Sequence, residues 1–373
     1  FKTLDNLSLT ATIFANGVEQ TKVAIDDTKG IAPQTTKQIA CEALKNAIAE
    51  AKSKNGDKEI TVNFAFASDG SEPLVDKGQV LARQQFVVSA YCFDKVSKAQ
   101  EIASQAASAK HESSKEAKKK ASAKTAKQLA SNLEVEETNS YVKVSADRLT
   151  VTVGKKTGLI DYLDVDGEPV LKFRESIRPE FWRAPTDNDY GASMPLQMNV
   201  WRNPVMKLKA FEKIEKKDRV VHRTYQAVSD GALVKPPFAM EKVKAELQLR
   251  YCINGSDQLT LTEKMTTDKA AKVPELFRYG MVIDLPASFS KIEYYGRGPE
   301  ECYVDRHSSA FIGKYEANVK DEYYPYVRPQ ESGNHFDIRF FSVFNPSTGK
   351  GLTFEGFAPI ECSAVPYSVA DLD

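Results

Sequence analysis

From Glu134 to Asp373 the sequence runs strand after strand, with no helix-forming stretch between them. "YVKVSADRLTVTV" alternates apolar and polar residues, the period-two pattern of a strand with one face on a core. "LIDYLDVDGEPVL" breaks at Asp166-Gly167, and "VKAELQLRYCI" and "QLTLTEKMTT" flank Asn254-Gly255. Asp-Gly and Asn-Gly accept the positive φ angles of two-residue hairpin turns. "KIEYYGRG" and "FDIRFFSVF" add two further strands. Parallel sheets need crossover connections, usually helices, and the strand–helix–strand rhythm is missing. A Rossmann sheet and a TIM barrel are therefore excluded for this part. Residues 134–373, which carry 15 of the 17 prolines and both tryptophans, are predicted to form one large antiparallel β-sandwich.

Residues 1–93 predict a small unit of the same class. "KEITVNFAFA" sets Ile60, Val62, Phe64 and Phe66 on one face of a strand, and "QVLARQQFVVSAY" reads as another. Asn16-Gly17 marks a hairpin between "LTATIFA" and "VEQTKVAI". "ACEALKNAIAEAKSKNG" fits either a short helix or a strand with a loop, and its composition does not choose between them. Several short strands in this length suggest an immunoglobulin-like sandwich.

Residues 94–133 differ in kind. Lys95 to Ser131 hold nine Lys against three Glu, with ten Ala and no Gly or Pro. Such a stretch buries little surface and reads as an exposed helix or a linker. No aromatic residue interleaves the lysines, which disfavours a basic nucleic-acid or membrane helix. The whole chain has a formal net charge of zero, against the basic excess of a nucleic-acid binder. No run reaches the eighteen apolar residues of a membrane span. The five cysteines (Cys41, Cys92, Cys252, Cys302, Cys362) are widely spaced and odd in number, so buried free thiols are expected. The opening "FKTLDNLSLT" has no initiator Met and no signal peptide, as in a piece of a longer polypeptide.

Four short motifs carry candidate chemistry. "DNDYG" (Asp187 to Gly191) begins like a calcium loop, but the position that needs a bidentate Glu is Met198. Asx-turns are the expected use of Asp187, Asn188 and Asp189. "YGRGPEECY" resembles a phosphate-binding glycine loop until Glu301 stands at the third glycine position, where a carboxylate repels phosphate. "DRHSS" places Asp305, His307 and Ser309 too close along the chain for a catalytic triad, which assembles across a fold. His335 lies in "ESGNHFDIRF", His222 in a polar stretch and His111 in the lysine-rich segment, and no pair has metal-ligand spacing. Glycoside hydrolysis needs two flanking carboxylates. Glu300, Glu301, Asp305 and Glu331 are the candidates, and spacing alone does not pair them.

Three blocks carry a resemblance: "FRESIRPEFWRAPTDNDYG", the run from "EYYGRGPEECYVDRHSS" to "RPQESGNHFDIRFF", and "GLTFEGFAPIECSAVPYS". Together and in this order they resemble the C-terminal region of large bacterial β-galactosidases of glycoside hydrolase family 2. "GIAPQTTKQI" and "VLARQQFVV" resemble the second immunoglobulin-like domain of those enzymes. The resemblance covers nearly all of the chain outside the Lys/Ala segment. It implies an all-β architecture, a small immunoglobulin-like sandwich followed by a galactose mutarotase-like β-supersandwich. It implies that the catalytic glutamates and most metal ligands lie in a TIM barrel outside this chain. No catalytic residue, metal or cofactor is then expected here, and magnesium and sodium belong to the parent enzyme. The expected partners are a β-galactoside or galactose bound by the complete enzyme, the barrel itself and further copies of the subunit. Nucleic acid and membrane are not expected. The compartment is open, cytoplasmic or periplasmic in a bacterium.

In the same resemblance, the loop from Gly191 ("GASMPLQMN") matches a mobile loop beside the sugar pocket, with Gly191 as its hinge. Asp187, Asn188, Asp189 and Gly191 are therefore the expected pocket-loop residues. "EFWRA" is expected to be a buried strand, with Phe181 and Trp182 in the core and Arg178 and Arg183 paired to carboxylates. The family supplies a sugar-stacking tryptophan from the end of this domain, and neither Trp182 nor Trp201 matches it. The sandwich is thus expected to be truncated at its C-terminus. Two other readings stand beside this one. A mutarotase-like epimerase would use His307 or His335 with Glu301 or Glu331. A carbohydrate-binding module would present a flat row of aromatics from Tyr323, Tyr324 and Tyr326.

Overall fold

The computed structural model describes residues 3–93, 133–211, 220–228, 244–267 and 273–373. The lysine-rich segment, with His111, falls on residues 94–132, outside the described residues.

The first unit is built on a sheet of order β2-β1-β3-β4, from β1 (Leu7–Ala15), β2 (Val18–Ile25), β3 (Ile60–Ser68) and β4 (Val80–Ser89). Asn16 and Gly17 join the first two strands with φ of 45° and 73°, the paired positive angles that the hairpin turn requires. The ambiguous alanine-rich stretch is a helix, α1 (Glu42–Asn55). It is amphipathic: Leu44, Ala47, Ile48 and Ala51 fall at helical spacing and pack on Ala11, Ile13, Ile60 and Val62. Gly56 closes it at φ 57°, its N–H donating to the Lys52 carbonyl at 3.1 Å. Among the described residues α1 is the layer over this face of the sheet. The alternate position Thr61 on β3 faces the other way, and there it and Glu59, the residue before the strand, are also buried.

The second unit holds four further sheets. One has the order β5-β6-β7-β8-β9, from β5 (Glu134–Glu137), β6 (Tyr141–Ser145), β7 (Leu149–Gly154), β8 (Ile160–Val165) and β9 (Glu168–Pro169). A short ribbon pairs β10 (Arg178–Glu180) with β15 (Gly280–Val282). A third sheet runs β11-β12-β13-β14, from β11 (Val205–Phe211), β12 (Val220–Val228), β13 (Lys244–Ile253) and β14 (Leu259–Thr267). The fourth runs β17-β16-β18-β19, from β16 (Lys291–Gly298), β17 (Phe311–Asn318), β18 (Asn334–Phe344) and β19 (Gly351–Ser363). Every strand pair among the described residues in these five sheets is antiparallel. The turn expected at Asp166-Gly167 sits between β8 and β9, with φ of 53° and 78°, but β13 and β14 are joined by a longer loop from Asn254 to Gln258 whose positive φ, 56°, falls on Asp257 and not on Asn254 or Gly255.

One apolar core joins these sheets. Val142, Val151 and Ile160 meet Leu247, Tyr251, Ile292, Phe341 and the pair Phe181 and Trp201 within it. Inward residues alternate along β7 and β13, as the sequence pattern requires.

Candidate functional site: a cleft beside the Arg178–Gly191 stretch

β10, β15, β18 and β19 contribute to the wall of a cleft of about 2390 Å³, together with the segment that follows Ser363. It exceeds the ~300–1,000 Å³ of a typical small-molecule pocket. Arg178, Glu180, Trp182, Arg278, Tyr303 and Glu331 are among its lining residues.

β10 sets one side of it. Alternation buries Pro179 and turns Arg178 and Glu180 to the cleft. Arg178 pairs with Asp284 and, at 3.6 Å, with Glu175. Glu180 was not singled out by the sequence, and burial raises its pKa against the nearby Arg278 and Arg178. The expected strand "EFWRA" ends early. The Trp182 N–H donates to the Glu180 carboxylate at 3.1 Å and not to a ladder carbonyl, and Pro185 has no N–H to give. Phe181 and Trp182 are nonetheless core, at 1% and 2% exposure. The Trp182 indole donates to Asp373 at 3.0 Å and meets Phe277 edge-on at 4.7 Å. Trp201 is buried as well, its indole donating to the Pro274 carbonyl at 3.2 Å.

"DNDYG" is one turn of helix and not an Asx-turn loop, because Thr186 and Asp189 form a capping box. The Asp189 carboxylate accepts from the Thr186 N–H at 2.7 Å and from its hydroxyl at 3.0 Å. Arg183 adds two hydrogen bonds to the same group, at 2.6 and 3.1 Å. Burial raises the pKa of Asp189, and these donors outweigh it, so the net shift is downward. Asp187 and Asn188 are exposed. Gly191 is exposed too, but its φ is not in the left-handed region; Ser193 takes that conformation instead, at φ 59°. None of Asp187, Asn188, Asp189 or Gly191 lines the cleft. They adjoin it through Arg183, which does, and through the Glu331 N–H, which donates to the Ala184 carbonyl at 3.2 Å.

The other candidates are tied into the fold. Glu301 accepts from Arg306 at 2.7 Å, from the Gly333 N–H at 2.8 Å and from the Tyr326 hydroxyl. Glu331 pairs with Arg278. Both carboxylates, after burial, hold the Tyr303 phenol well above its ordinary pKa. His335 is fully buried, its Nε2 lying 2.5 Å from Glu322 Oε2 and its ring 4.3 Å from that of Tyr294. His307 stacks on Phe336 at 5.1 Å. Glu300 is exposed, while Asp305 and Glu331 line the cleft. The side chain of His222 lies outside the described residues.

The tyrosines do not make a flat row. Tyr324 is exposed, yet its ring meets Tyr326 at an interplanar angle of 56°, and Tyr323 packs edge-on against Tyr367. Cys41, Cys92, Cys302 and Cys362 are free thiols, and of these only Cys302 is buried. Among the described residues no three His, Cys, Asp or Glu side chains cluster to hold a metal, and no helix is long and apolar enough to cross a membrane.

The family model for the β-galactosidase small chain matches residues 145–373, well over half of the chain. The chain belongs to this family. The model for domain 4 of β-galactosidase matches residues 1–89, so the two occur here in the order that the sequence blocks led us to expect. A β-galactosidase of Priestia megaterium is 27% identical over 65% of this chain and 22% of its own length. The β-galactosidase of Lactobacillus delbrueckii subsp. bulgaricus is 33% identical over 56% of this chain and 20% of its own. That of Halalkalibacterium halodurans is 26% identical over 65% and 23%. The chain thus spans about a fifth of the length of the curated relatives it matches. Its described residues form antiparallel sheets and no βα-barrel.

Proposed function

We propose that this chain is the accessory C-terminal portion of a β-galactosidase, with hydrolysis of terminal β-galactosides carried by a barrel elsewhere in the parent polypeptide. One observation carries the reading. Two β-galactosidase family models tile the chain in order, while two of the four candidate carboxylates are committed to structural pairs, Glu301 to Arg306 and Glu331 to Arg278, and Glu300 stands exposed. A catalytic pair must instead be free to meet the glycosidic bond.

In this reading the Arg183–Asp189 turn aims the exposed residues Asp187, Asn188 and Gly191 at the rim of the sugar pocket, and Trp182 anchors that rim in the core. Magnesium and sodium belong to the barrel, and this chain helps to join copies of the subunit. The protein works in the cytoplasm or periplasm of a bacterium. The test is Asp187→Ala with Asn188→Ala in the complete parent polypeptide, assayed on o-nitrophenyl galactoside. A KM raised several-fold with kcat largely kept is the expected result. An unchanged KM removes these residues from the pocket.

A further inference from the structure

We propose that Glu59 is a positioning residue for the cleft wall: it holds the bulge at Asp337 in β18 through Arg339, and so ties the geometry of the cleft to the docking of the first unit.

Glu59 precedes β3 and is 1% exposed, yet both of its carboxylate oxygens are satisfied from the second unit. Arg339 Nη2 donates to Oε1 at 2.6 Å, and Arg339 Nε donates to Oε2 at 3.1 Å. The Tyr295 hydroxyl donates to Oε2 at 2.5 Å. Arg339 uses its remaining donor, Nη1, on Asp337, at both the carbonyl and the carboxylate. The other Asp337 oxygen takes Arg297 Nε at 3.1 Å, and Arg297 donates onward to the Ala310 carbonyl at 3.0 Å. The charges alternate along this line, Glu59, Arg339, Asp337, Arg297, from the first unit across β18 to β16.

The line passes through a strained point. Asp337 has φ of 59°, in the left-handed region that a side chain other than glycine's adopts at a cost, and there the β18–β19 register breaks between His335 and Ile338. A bulge re-aims the side chains beside it, and without one the residues on its far side would exchange faces. Phe336 and Asp337 line the cleft. The strain persists only where the surroundings over-determine it, and Arg339 grips Asp337 while Glu59 grips Arg339. The interface that delivers Glu59 is itself fixed. Gln85 exchanges two 2.8 Å hydrogen bonds with the Ile312 backbone. A Cβ at Gly17 would fall 2.9 Å from Lys314 and 3.1 Å from Tyr295, so only glycine permits that approach.

A plain adhesive role for the ion pair predicts a different outcome from a positioning role. Hydrogen exchange of Glu59→Gln, read by mass spectrometry on the 373-residue chain, separates them. We expect amides 335–339 to exchange about tenfold faster while those at 310–314, beside Gln85, keep their rate. Equal acceleration at both places would mean that Glu59 only glues the units, and no acceleration at 335–339 would likewise overturn the proposal. Arg339→Lys, which keeps the charge but loses the fork, provides the same comparison if Glu59→Gln does not fold.

Discussion

Arg183 and Asp189 grip each other through two hydrogen bonds, 2.6 and 3.1 Å long, and close the turn that leads out of the cleft wall. Asp189 is 5% exposed, so its charge is kept by Arg183 and by the Thr186 donors and not by water. Removing the guanidinium leaves a buried charge uncompensated. Arg183→Ala should cost about 3 kcal/mol of stability, and Thr186→Ala about 1 kcal/mol through loss of the cap. Urea denaturation measures both, and near-equal costs would contradict the assignment of Arg183 as the main partner.

His335 gives the chain an alkaline limit. Burial pulls its pKa down, but Cys302 and Glu322 push it up further, to about 9 from 6.5. A group whose folded pKa is raised stabilises fully below its unfolded pKa and loses that contribution as pH rises through the folded one. Melting temperature should therefore fall between about pH 6.5 and 9 in the wild type, and fall less over that window in His335→Gln.

Glu263 adds a second alkaline loss. Its Oε1 is buried with no hydrogen-bond partner among the described residues, and burial raises its pKa to about 8 from 4.5. Protons held in the folded state above pH 4.5 make stability decline as pH climbs toward 8. Glu263→Gln should flatten that decline, and Glu263→Leu should stabilise the protein at pH 8 by about 1–3 kcal/mol, the scale of an unsatisfied buried group. Denaturation series of the two variants across pH 5 to 9 check this. A destabilised Leu variant would mean that the carboxyl has a partner.

Arg328 lies 3.6 Å over the ring of Tyr190, immediately before Gly191. Its loop is pinned by the Tyr326 and Gly333 bonds to Glu301 and by Glu322 on His335. The stack therefore holds the helical turn from a fixed base. Arg328→Ala should lose about 0.5–1 kcal/mol and speed amide exchange in residues 190–198, while Arg328→Lys retains part of the effect.

The parts of this fold that were legible in the sequence are those governed by neighbours along the chain. Asn16-Gly17 and Asp166-Gly167 specify their hairpins because turn φ angles are a local demand, whereas at Asn254-Gly255 the connection is longer and the positive φ falls on Asp257. Trp182 and Phe181 were legible as core from their apolar area. The Thr186 cap is present in the sequence as a spacing, Thr-x-x-Asp, that the Asx-prone residues Asp187, Asn188 and Asp189 mask. The Glu59–Arg339 pair spans 280 residues, and no local pattern announces it. The Asp337 bulge depends on that pair and was equally silent. Glu180 became a cleft residue only when β10 stopped and aimed it there, while the exposed loop at Gly191 carried a likeness of sequence but no geometry.

Hydrolysis of a chromogenic β-galactoside by the purified 373-residue chain, with and without magnesium, tests the central claim most directly. A folded sample that turns over no faster than the blank is the predicted result. Turnover well above the blank that survives repurification would place a working carboxylate pair inside this chain and contradict the account.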